Sequence, residues 1–218
     1  MLQQRVYRPA RLAEIVAQGQ NLELYWSNLL MIGPARRHTT TLVTLAMEVG
    51  HIVGMYWKDK HKRARPVQVF PAVMPAIPTP GHPSYPSNHS FQSHLIAHIL
   101  TSLFEASRSE KEDAAKKEVV QKKAEVAKAM KAPHFAMAAR IGENREIAGV
   151  HFPSDTDAGK QLAARTFKAL LQVDSFLDLL DAARREWQPN LEVGARPQGV
   201  GIQRRPKWMK YADAKREG

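Results

Sequence analysis

Apolar residues recur three or four positions apart through most of this chain, and that spacing narrows its possible folds more than anything else in the sequence. The clearest example is a long helix predicted between Arg37 and Asp59. Its apolar stripe consists of Leu42, Leu45, Ala46, Val49, Ile52, Val53 and Tyr56. The strict alternation that is typical of a half-buried strand is almost absent. The sequence therefore predicts an all-α bundle.

The remaining helices are placed by capping residues, prolines and glycines. Their predicted positions are Pro9–Ile32 (one or two helices), Ser87 or Asn88 to Ala106, Ser107–Lys131, a further piece after an interruption at Pro133, a helix after Pro153 capped by Ser154 or Asp155, and Asp174–Trp187. The proline-rich stretch from Pro66 to Pro86 is predicted to be a loop without regular structure. Functional groups often lie on such loops when a rigid scaffold holds them.

Length and charge suggest one domain and an anionic partner. The 218 residues suit a single all-helical catalytic domain, predicted as residues 1–188, followed by a basic Pro/Gly-rich arm at 189–218. A formal net charge of +11 favours phosphorylated molecules, nucleic acid or acidic membrane surfaces as partners. Because the chain has no cysteine, disulfides and thiolate chemistry are excluded.

The sequence predicts no transmembrane segment. Its most apolar run, Leu42–Trp57, is shorter than a membrane span and contains Glu48 and His51. The first residues lack the apolar region of a signal peptide. The expected location is therefore the periplasm if a signal peptide was removed and the cytoplasm otherwise.

Three segments hold the residues with evident chemical potential: KDKHKRARP (Lys58–Pro66), YPSNHS (Tyr85–Ser90) and NREIAGVHFPSD (Asn144–Asp155). Together they supply what is needed to bind a tetrahedral oxyanion. Arg65 and Arg145 each offer a fork of N–H donors, and Lys58 adds a point charge. The Ser87 hydroxyl and the backbone N–H groups of Asn88 and His89, at a helix start, would add further donors.

The same segments contain a candidate nucleophile. A neutral imidazole can attack phosphorus and form a phosphohistidine, provided that its other nitrogen is held by an acceptor. His151 could meet that need through Asp155, four residues later. His89 is then the candidate general acid that protonates the leaving oxygen.

These segments carry a family resemblance. Lys58–Pro66 fits K-x6-R-P, Pro86–His89 resembles P-S-G-H, and Arg145, His151 and Asp155 fit R-x5-H-x3-D. The three motifs in this order resemble the superfamily of type 2 phosphatidic acid phosphatases, bacterial class A acid phosphatases and vanadium-dependent haloperoxidases, with the soluble class A enzymes the nearest in pattern. The resemblance covers about Tyr56 to Leu170.

The resemblance implies the helical bundle of that superfamily and a role for each matched residue. His151 would be the nucleophile or the vanadate ligand, Asp155 its orienting partner and His89 the acid and base. The oxyanion would be bound by Lys58, Arg65, Ser87, Asn88 and Arg145. Two positions depart from the family pattern, because Asn88 stands where glycine is usual and Asn144 where serine is usual.

Three functions remain open on the sequence alone. The leading one is a metal- and cofactor-independent phosphomonoesterase that acts on a small phosphorylated substrate. The second is a haloperoxidase that holds vanadate in the same pocket. The third is a non-catalytic basic protein that binds anions or nucleic acid, although nucleic acid is not the expected partner. A homodimer formed through the apolar N-terminal helices is also open.

Overall fold

The computed structural model describes residues 3–33 and 35–187, and these residues form helices and loops without a strand. The helices are α1 (Arg8–Gln20), α2 (Leu22–Leu29), α3 (Arg37–His61), α4 (Pro66–Val69), α5 (Asn88–Ser102), α6 (Arg108–Glu112), α7 (Lys117–Ile147), α8 (Pro153–Leu170) and α9 (Asp174–Glu186), with short 3-10 turns at Gln3–Tyr7, Pro71–Val73 and Ala114–Lys116. The predicted all-α fold is confirmed. The predicted arm at 189–218 lies outside the described residues.

Helix α5 is the centre of the bundle and packs against α3, α7 and α8. Its predicted apolar face is buried: Phe91, Leu95 and Ile99 are fully enclosed, and Leu103 follows just beyond the helix end. Burying a side chain of this size contributes roughly 1.5–3 kcal/mol. The packing fixes α5 along its length and therefore fixes the position of its N-terminus.

Two glycines let neighbouring helices come close to that N-terminus. A Cβ atom on Gly159 of α8 would lie 2.6 Å from the Ser87 carbonyl oxygen and 2.9 Å from the Phe91 nitrogen. A Cβ atom on Gly54 of α3 would overlap the side-chain amide of Asn88. Both helices therefore approach the start of α5 more closely than any larger residue would allow.

The predicted stripe on α3 is wrong at its C-terminal end. Ile52 and Tyr56 are 66% and 56% exposed, whereas Leu42 and Ala46 are fully buried. Helical periodicity identifies a common face, but it does not show where the neighbouring helix ends. In this part of α3 the buried residues are instead small or charged, namely Gly54 and Lys58.

The predicted interruption at Pro133 is also wrong, because α7 runs without a break from Lys117 to Ile147. A proline inside a helix removes the hydrogen bond to the carbonyl four residues earlier. Here both Pro133 and Ala129 are exposed, so water can solvate the carbonyl that loses its partner. The helix predicted at Ser107–Lys131 also differs at its start, where α6 and a 3-10 turn precede α7.

Smaller differences concern helix ends. Proline at the first helical position starts α4 and the 3-10 turn at Pro71, within a stretch that was predicted to be irregular. Helix α8 begins at Pro153 with Phe152 as its N-cap, and Asp155 accepts the Phe152 backbone N–H at 2.9 Å. Helix α5 ends at Ser102 rather than Ala106.

Within residues 3–33 and 35–187, no helix has both the length and the apolarity needed to cross a bilayer.

Candidate active site

The three motif segments meet at one end of the bundle, where α3 ends, α5 begins and the α7–α8 connection passes. The predicted site residues that are buried there are Lys58, Arg65, Ser87, Asn88, Arg145, His151 and Asp155. His89 is half-buried. Residues separated by almost one hundred positions are thus brought together by the packing of α5.

His151 is held in one tautomer by its two neighbours. Its Nδ1 lies 3.1 Å from Asp155 Oδ2, and its Nε2 lies 3.0 Å from Arg65 Nη1. A guanidinium can only donate hydrogen bonds, so Nε2 must be the acceptor and carry the lone pair. The hydrogen is then on Nδ1 and is donated to Asp155. This is the tautomer that a nucleophilic Nε2 requires.

Burial keeps the His151 ring neutral. It lowers the pKa of His151 to about 4, with further lowering by Arg65 and Lys58, although the hydrogen bond to Asp155 acts in the opposite direction. Burial also acts to raise the pKa of Asp155, but the hydrogen bonds from His151 and the Phe152 N–H outweigh it and leave this pKa lowered. At neutral pH the pair is therefore a neutral imidazole beside a carboxylate.

The guanidinium of Arg65 is fixed from several sides. Its Nε donates to the His82 carbonyl at 3.0 Å, and its Nη1 donates to the Val150 carbonyl at 2.8 Å as well as to His151. Nη2 lies 3.1 Å from His82 Nδ1. His82, from the proline-rich stretch, thus holds Arg65 beside His151.

Lys58 is fully buried, and its ammonium group donates to the carbonyls of Pro83, Ser84 and Pro86 at 2.8, 3.0 and 2.6 Å. All three of its N–H donors are used by the loop before Ser87. Burial, reinforced by the charge of Arg65, lowers the pKa of Lys58 to about 7. Lys58 therefore orders the loop and, when protonated, supplies positive charge rather than a free donor.

Ser87 caps α5 through its side-chain oxygen, which accepts the Ser90 N–H at 3.4 Å. Because that contact uses the hydroxyl as an acceptor, its hydrogen stays available to a ligand. Asn88 stands where the family usually has glycine. It is the first residue of α5 and its backbone is not left-handed, so this position does not need the conformational freedom of glycine. Its side chain is accommodated against Gly54.

Arg145 is buried and only partly satisfied. Its Nη2 donates to the Ile15 carbonyl at 2.6 Å and to Gln18 Oε1 at 3.3 Å. Among the described residues, nothing accepts from its Nε or Nη1. Unpaired buried donors on a cation are costly, and anionic oxygens bound beside Arg145 would satisfy them. Burial lowers the pKa of Arg145 to about 10, so it remains charged at neutral pH.

His89 completes the cluster. Its Nε2 lies 3.3 Å from the Gln18 carbonyl, to which it donates. Burial, followed by the nearby positive charge of Arg145, lowers the pKa of His89 to about 3, while the Gln18 carbonyl acts to raise it. Gln18 is therefore a common neighbour of His89 and Arg145.

Two residues that contact this cluster have no assigned role in the motifs. Arg63 stands at a variable position of K-x6-R-P, yet its Nη1 donates to Asp155 Oδ1 at 2.8 Å, and its guanidinium lies 4.2 Å from the Phe152 ring centroid. Gln18 lies on α1, outside every motif. The presence of a second arginine in KDKHKRARP could have indicated a role for Arg63. No sequence pattern indicated a role for Gln18.

Asn144, which departs from the family's usual serine, is buried between α7 and α1. Its Nδ2 donates to Gln18 Oε1 at 3.0 Å, and its Oδ1 accepts from Arg11 at 3.0 Å. Both ends of the amide are therefore satisfied by the N-terminal helix. The larger side chain is explained by these contacts with α1.

A groove of about 190 Å³ lies between α3 and α8 and is lined by Trp57, His61, Tyr85 and Arg165 among others. The Trp57 and His61 rings stack at 5.8 Å. None of the predicted phosphate-binding residues lines this groove. It is therefore a surface feature separate from the cluster around His151.

The family model of the VCPO second helical-bundle domain matches residues 57–175 of this chain. Among solved structures, the chain is similar to the first transmembrane PAP2 type phosphatidylglycerolphosphate phosphatase from Bacillus subtilis, with 19% sequence identity and a TM-score of 0.45 over 75% of this chain and 68% of that one. Comparison with curated proteins finds no match. Because the family match spans more than half of the 218 residues, the chain belongs to the family of the VCPO second helical-bundle domain, within the superfamily of type 2 phosphatidic acid phosphatases and vanadium-dependent haloperoxidases.

Proposed function

We propose that this protein is a phosphomonoesterase that hydrolyses small phosphorylated substrates through a phosphohistidine on His151. The observation that carries the proposal is the state of the His151 ring, with a lone pair on Nε2 and its Nδ1–H bonded to Asp155. Membership of a superfamily that contains phosphatases supports it. So do the unpaired donors of Arg145, which suit phosphate oxygens.

In the first step, the phosphate would lie among Arg65, Arg145 and the Ser87 hydroxyl. Arg65 Nη1 would leave His151 and donate to a phosphate oxygen. The Nε2 lone pair of His151 then attacks phosphorus, so that an N–P bond forms while the P–O bond to the leaving group breaks. The leaving oxygen takes a proton from His89, and Asp155 stabilises the positive charge on the phosphorylated ring.

In the second step, water attacks the phosphohistidine. One proton of the water passes to His89, the N–P bond breaks, and its electron pair returns to His151 Nε2. Inorganic phosphate leaves, and His89 is protonated for the next cycle. The net reaction consumes one water and one monoester and yields an alcohol and phosphate, with no metal or organic cofactor required.

The general-acid role requires a protonated His89, although its pKa is about 3 in the protein without substrate. Next to burial, the positive charge of Arg145 is the main cause of that low value. A phosphate dianion bound by Arg145 would offset this charge and raise the pKa of His89. Substrate binding would thereby protonate the acid that the reaction needs.

The proposal is tested by hydrolysis of an aryl phosphate in EDTA, with and without orthovanadate. We expect turnover that survives EDTA, that vanadate inhibits and that falls at least about 1000-fold in His151→Ala, because the nucleophile is lost. His51→Ala, at an exposed histidine of α3, is the matched control. Mass spectrometry of alkali-quenched enzyme should detect a phosphorylated His151. Undiminished turnover in His151→Ala would contradict the proposal.

The same donors would also fit vanadate, with His151 Nε2 as its ligand and Arg65 and Arg145 around its oxygens. Bound vanadate would supply the activation of peroxide for halide oxidation. Peroxide-dependent halide oxidation after vanadate addition, without phosphate hydrolysis, would favour that function. Anion binding with no turnover in either assay would favour a binding protein. Strong, salt-dependent binding of nucleic acid that is unchanged in His151→Ala would identify nucleic acid as its ligand.

A further inference from the structure

The C-terminal half of α1 contacts two residues of the site from outside the region matched by the family. Gln18 accepts from Arg145 through its side chain, at 3.3 Å, and from His89 through its backbone carbonyl, also at 3.3 Å. The neighbouring Ile15 carbonyl accepts from Arg145 at 2.6 Å. Gln18 is completely buried, so these contacts are shielded from water.

The side chain of Gln18 has a single possible orientation. Its Nε2 donates to Glu14 Oε1 at 2.9 Å, so its Oε1 must face Asn144 and Arg145. Glu14 is itself held by the guanidinium of Arg140, at 2.6–2.9 Å. The amide therefore has a donor end and an acceptor end that cannot exchange without breaking all three contacts.

This orientation decides which Arg145 donors reach a ligand. Ile15 and Gln18 take Nη2, and the unpaired Nε and Nη1 remain on the other edges of the guanidinium. If Gln18 lost its acceptor, Arg145 could rotate and the directions of its two free donors would change. Hydrogen bonds from Arg145 to a bound oxyanion depend on those directions.

We propose that Gln18 of α1 is a positioning residue of the phosphate site, which sets the orientation of Arg145 through its side chain and of His89 through its carbonyl. This inference rests on the proposed function and extends the site beyond residues 57–175. The carbonyl contact also supports a charged His89 ring, as a general acid requires.

Gln18→Met tests the side-chain contact, because methionine has a similar length but no strong acceptor. We expect the dissociation constant for orthovanadate, measured by calorimetry, and the KM for an aryl phosphate to rise about tenfold, as for loss of a hydrogen bond to a charged group. The value of kcat should change less than about threefold, because the backbone carbonyl remains on His89. A purely structural role would lower the amount of folded enzyme and would not raise KM selectively.

Gln20→Met, two residues later on the exposed face of the same helix, is the matched control and should match the wild type. A folded Gln18→Met variant that binds vanadate as tightly as Gln20→Met would overturn the inference. Calorimetry needs no turnover, so wild-type binding without hydrolysis would refute the proposed reaction while still testing Gln18. A wild type that binds neither vanadate nor phosphate would overturn both.

Gly19→Ala covers the case in which Gln18→Met does not fold. The added methyl would lie 3.3 Å from Arg145 Nη1 and touches no Gln18 hydrogen bond, while alanine favours the helix. We expect this variant to be as stable as the wild type and to bind vanadate several-fold more weakly. Unchanged vanadate affinity would count against the positioning role of this helix.

Discussion

The Asp155 carboxylate is fully buried and accepts three hydrogen bonds. His151 Nδ1 and the Phe152 N–H share Oδ2, and Arg63 Nη1 donates to Oδ1 at 2.8 Å. The first two contacts are local to the α8 start, whereas Arg63 lies in the connection between α3 and α4. Arg63 therefore joins the carboxylate beside His151 to a different part of the chain.

Arg63→Ala should lower kcat about tenfold with little change in KM. The variant removes a charge-assisted hydrogen bond to Asp155, and the His151 ring loses part of its orientation, while the phosphate-binding donors stay in place. Steady-state kinetics on an aryl phosphate measure both constants. Arg37→Ala, an exposed arginine at the start of α3, makes the same change in charge. A kcat equal to that of Arg37→Ala would refute this role, and Arg63→Lys should restore part of the rate.

At the scale of single residues, the motifs predicted which residue types lie around His151, because K-x6-R-P and R-x5-H-x3-D specify the spacing of residues within each segment. They did not predict where each donor points. Lys58 was expected to face the oxyanion and instead donates to three loop carbonyls. Such choices depend on the path of the loop between α4 and α5, and a spacing pattern contains no information about that path.

At the scale of elements, the site is built from helix ends. Helix α5 presents Ser87 and its first N–H groups because Gly159 of α8 lies directly against the Ser87 carbonyl and the Phe91 nitrogen. The Ser87 N–H also donates to the Asp155 carbonyl at 2.9 Å. The contact between α5 and α8 thus sets the distance between Ser87 and Asp155.

Gly159→Ala should therefore weaken both stability and anion binding. Its Cβ would lie 2.6 Å from a backbone oxygen that cannot rotate away, so α5 and α8 must separate, at a cost of about 1–3 kcal/mol. Urea denaturation measures the loss in the free energy of unfolding, and calorimetry with vanadate should show weaker binding. Gly81→Ala is the control, since its Cβ would meet nothing within 4 Å. Equal stability of the two variants would contradict the proposed close contact.

Periodicity and capping residues predicted the order of the long helices, because apolar spacing directly reflects burial. They failed where the surroundings decide the outcome. Pro133 is tolerated because its turn faces solvent, and Ile52 and Tyr56 are exposed because no helix within residues 3–33 and 35–187 covers that part of α3. Neither fact can be read from the residues themselves. The contact of α1 with Arg145 is equally non-local.

For the whole molecule, the concentration of buried positive charge has a cost. Lys58, Arg65 and Arg145 lie close to His89 and His151, and both histidines have a lowered pKa as a result of burial and these charges. In the unfolded chain the histidines would titrate near their ordinary value of about 6.5. Folding therefore becomes coupled to pH, and any bound oxyanion should reduce that coupling.

The sign follows from proton binding. Between pH 6.5 and about 4, the unfolded chain binds protons on His89 and His151 that the folded protein excludes, so the free energy of unfolding should fall as the pH is lowered through this range. Each such proton contributes up to about 1.4 kcal/mol per pH unit. Urea denaturation at several pH values, with and without phosphate, measures the slope. Phosphate should make it shallower by offsetting the charge of Arg145.

His89→Gln removes one of these titrating groups and should also make the slope shallower, whereas His51→Gln, at an exposed position of α3, should leave it unchanged. The comparison separates the active-site histidine from the general effect of losing an imidazole. Identical slopes in the two variants would show that His89 takes up protons equally in both states. The electrostatic coupling between the histidines and the buried cations would then have to be rejected, and with it the expectation that phosphate makes the slope shallower.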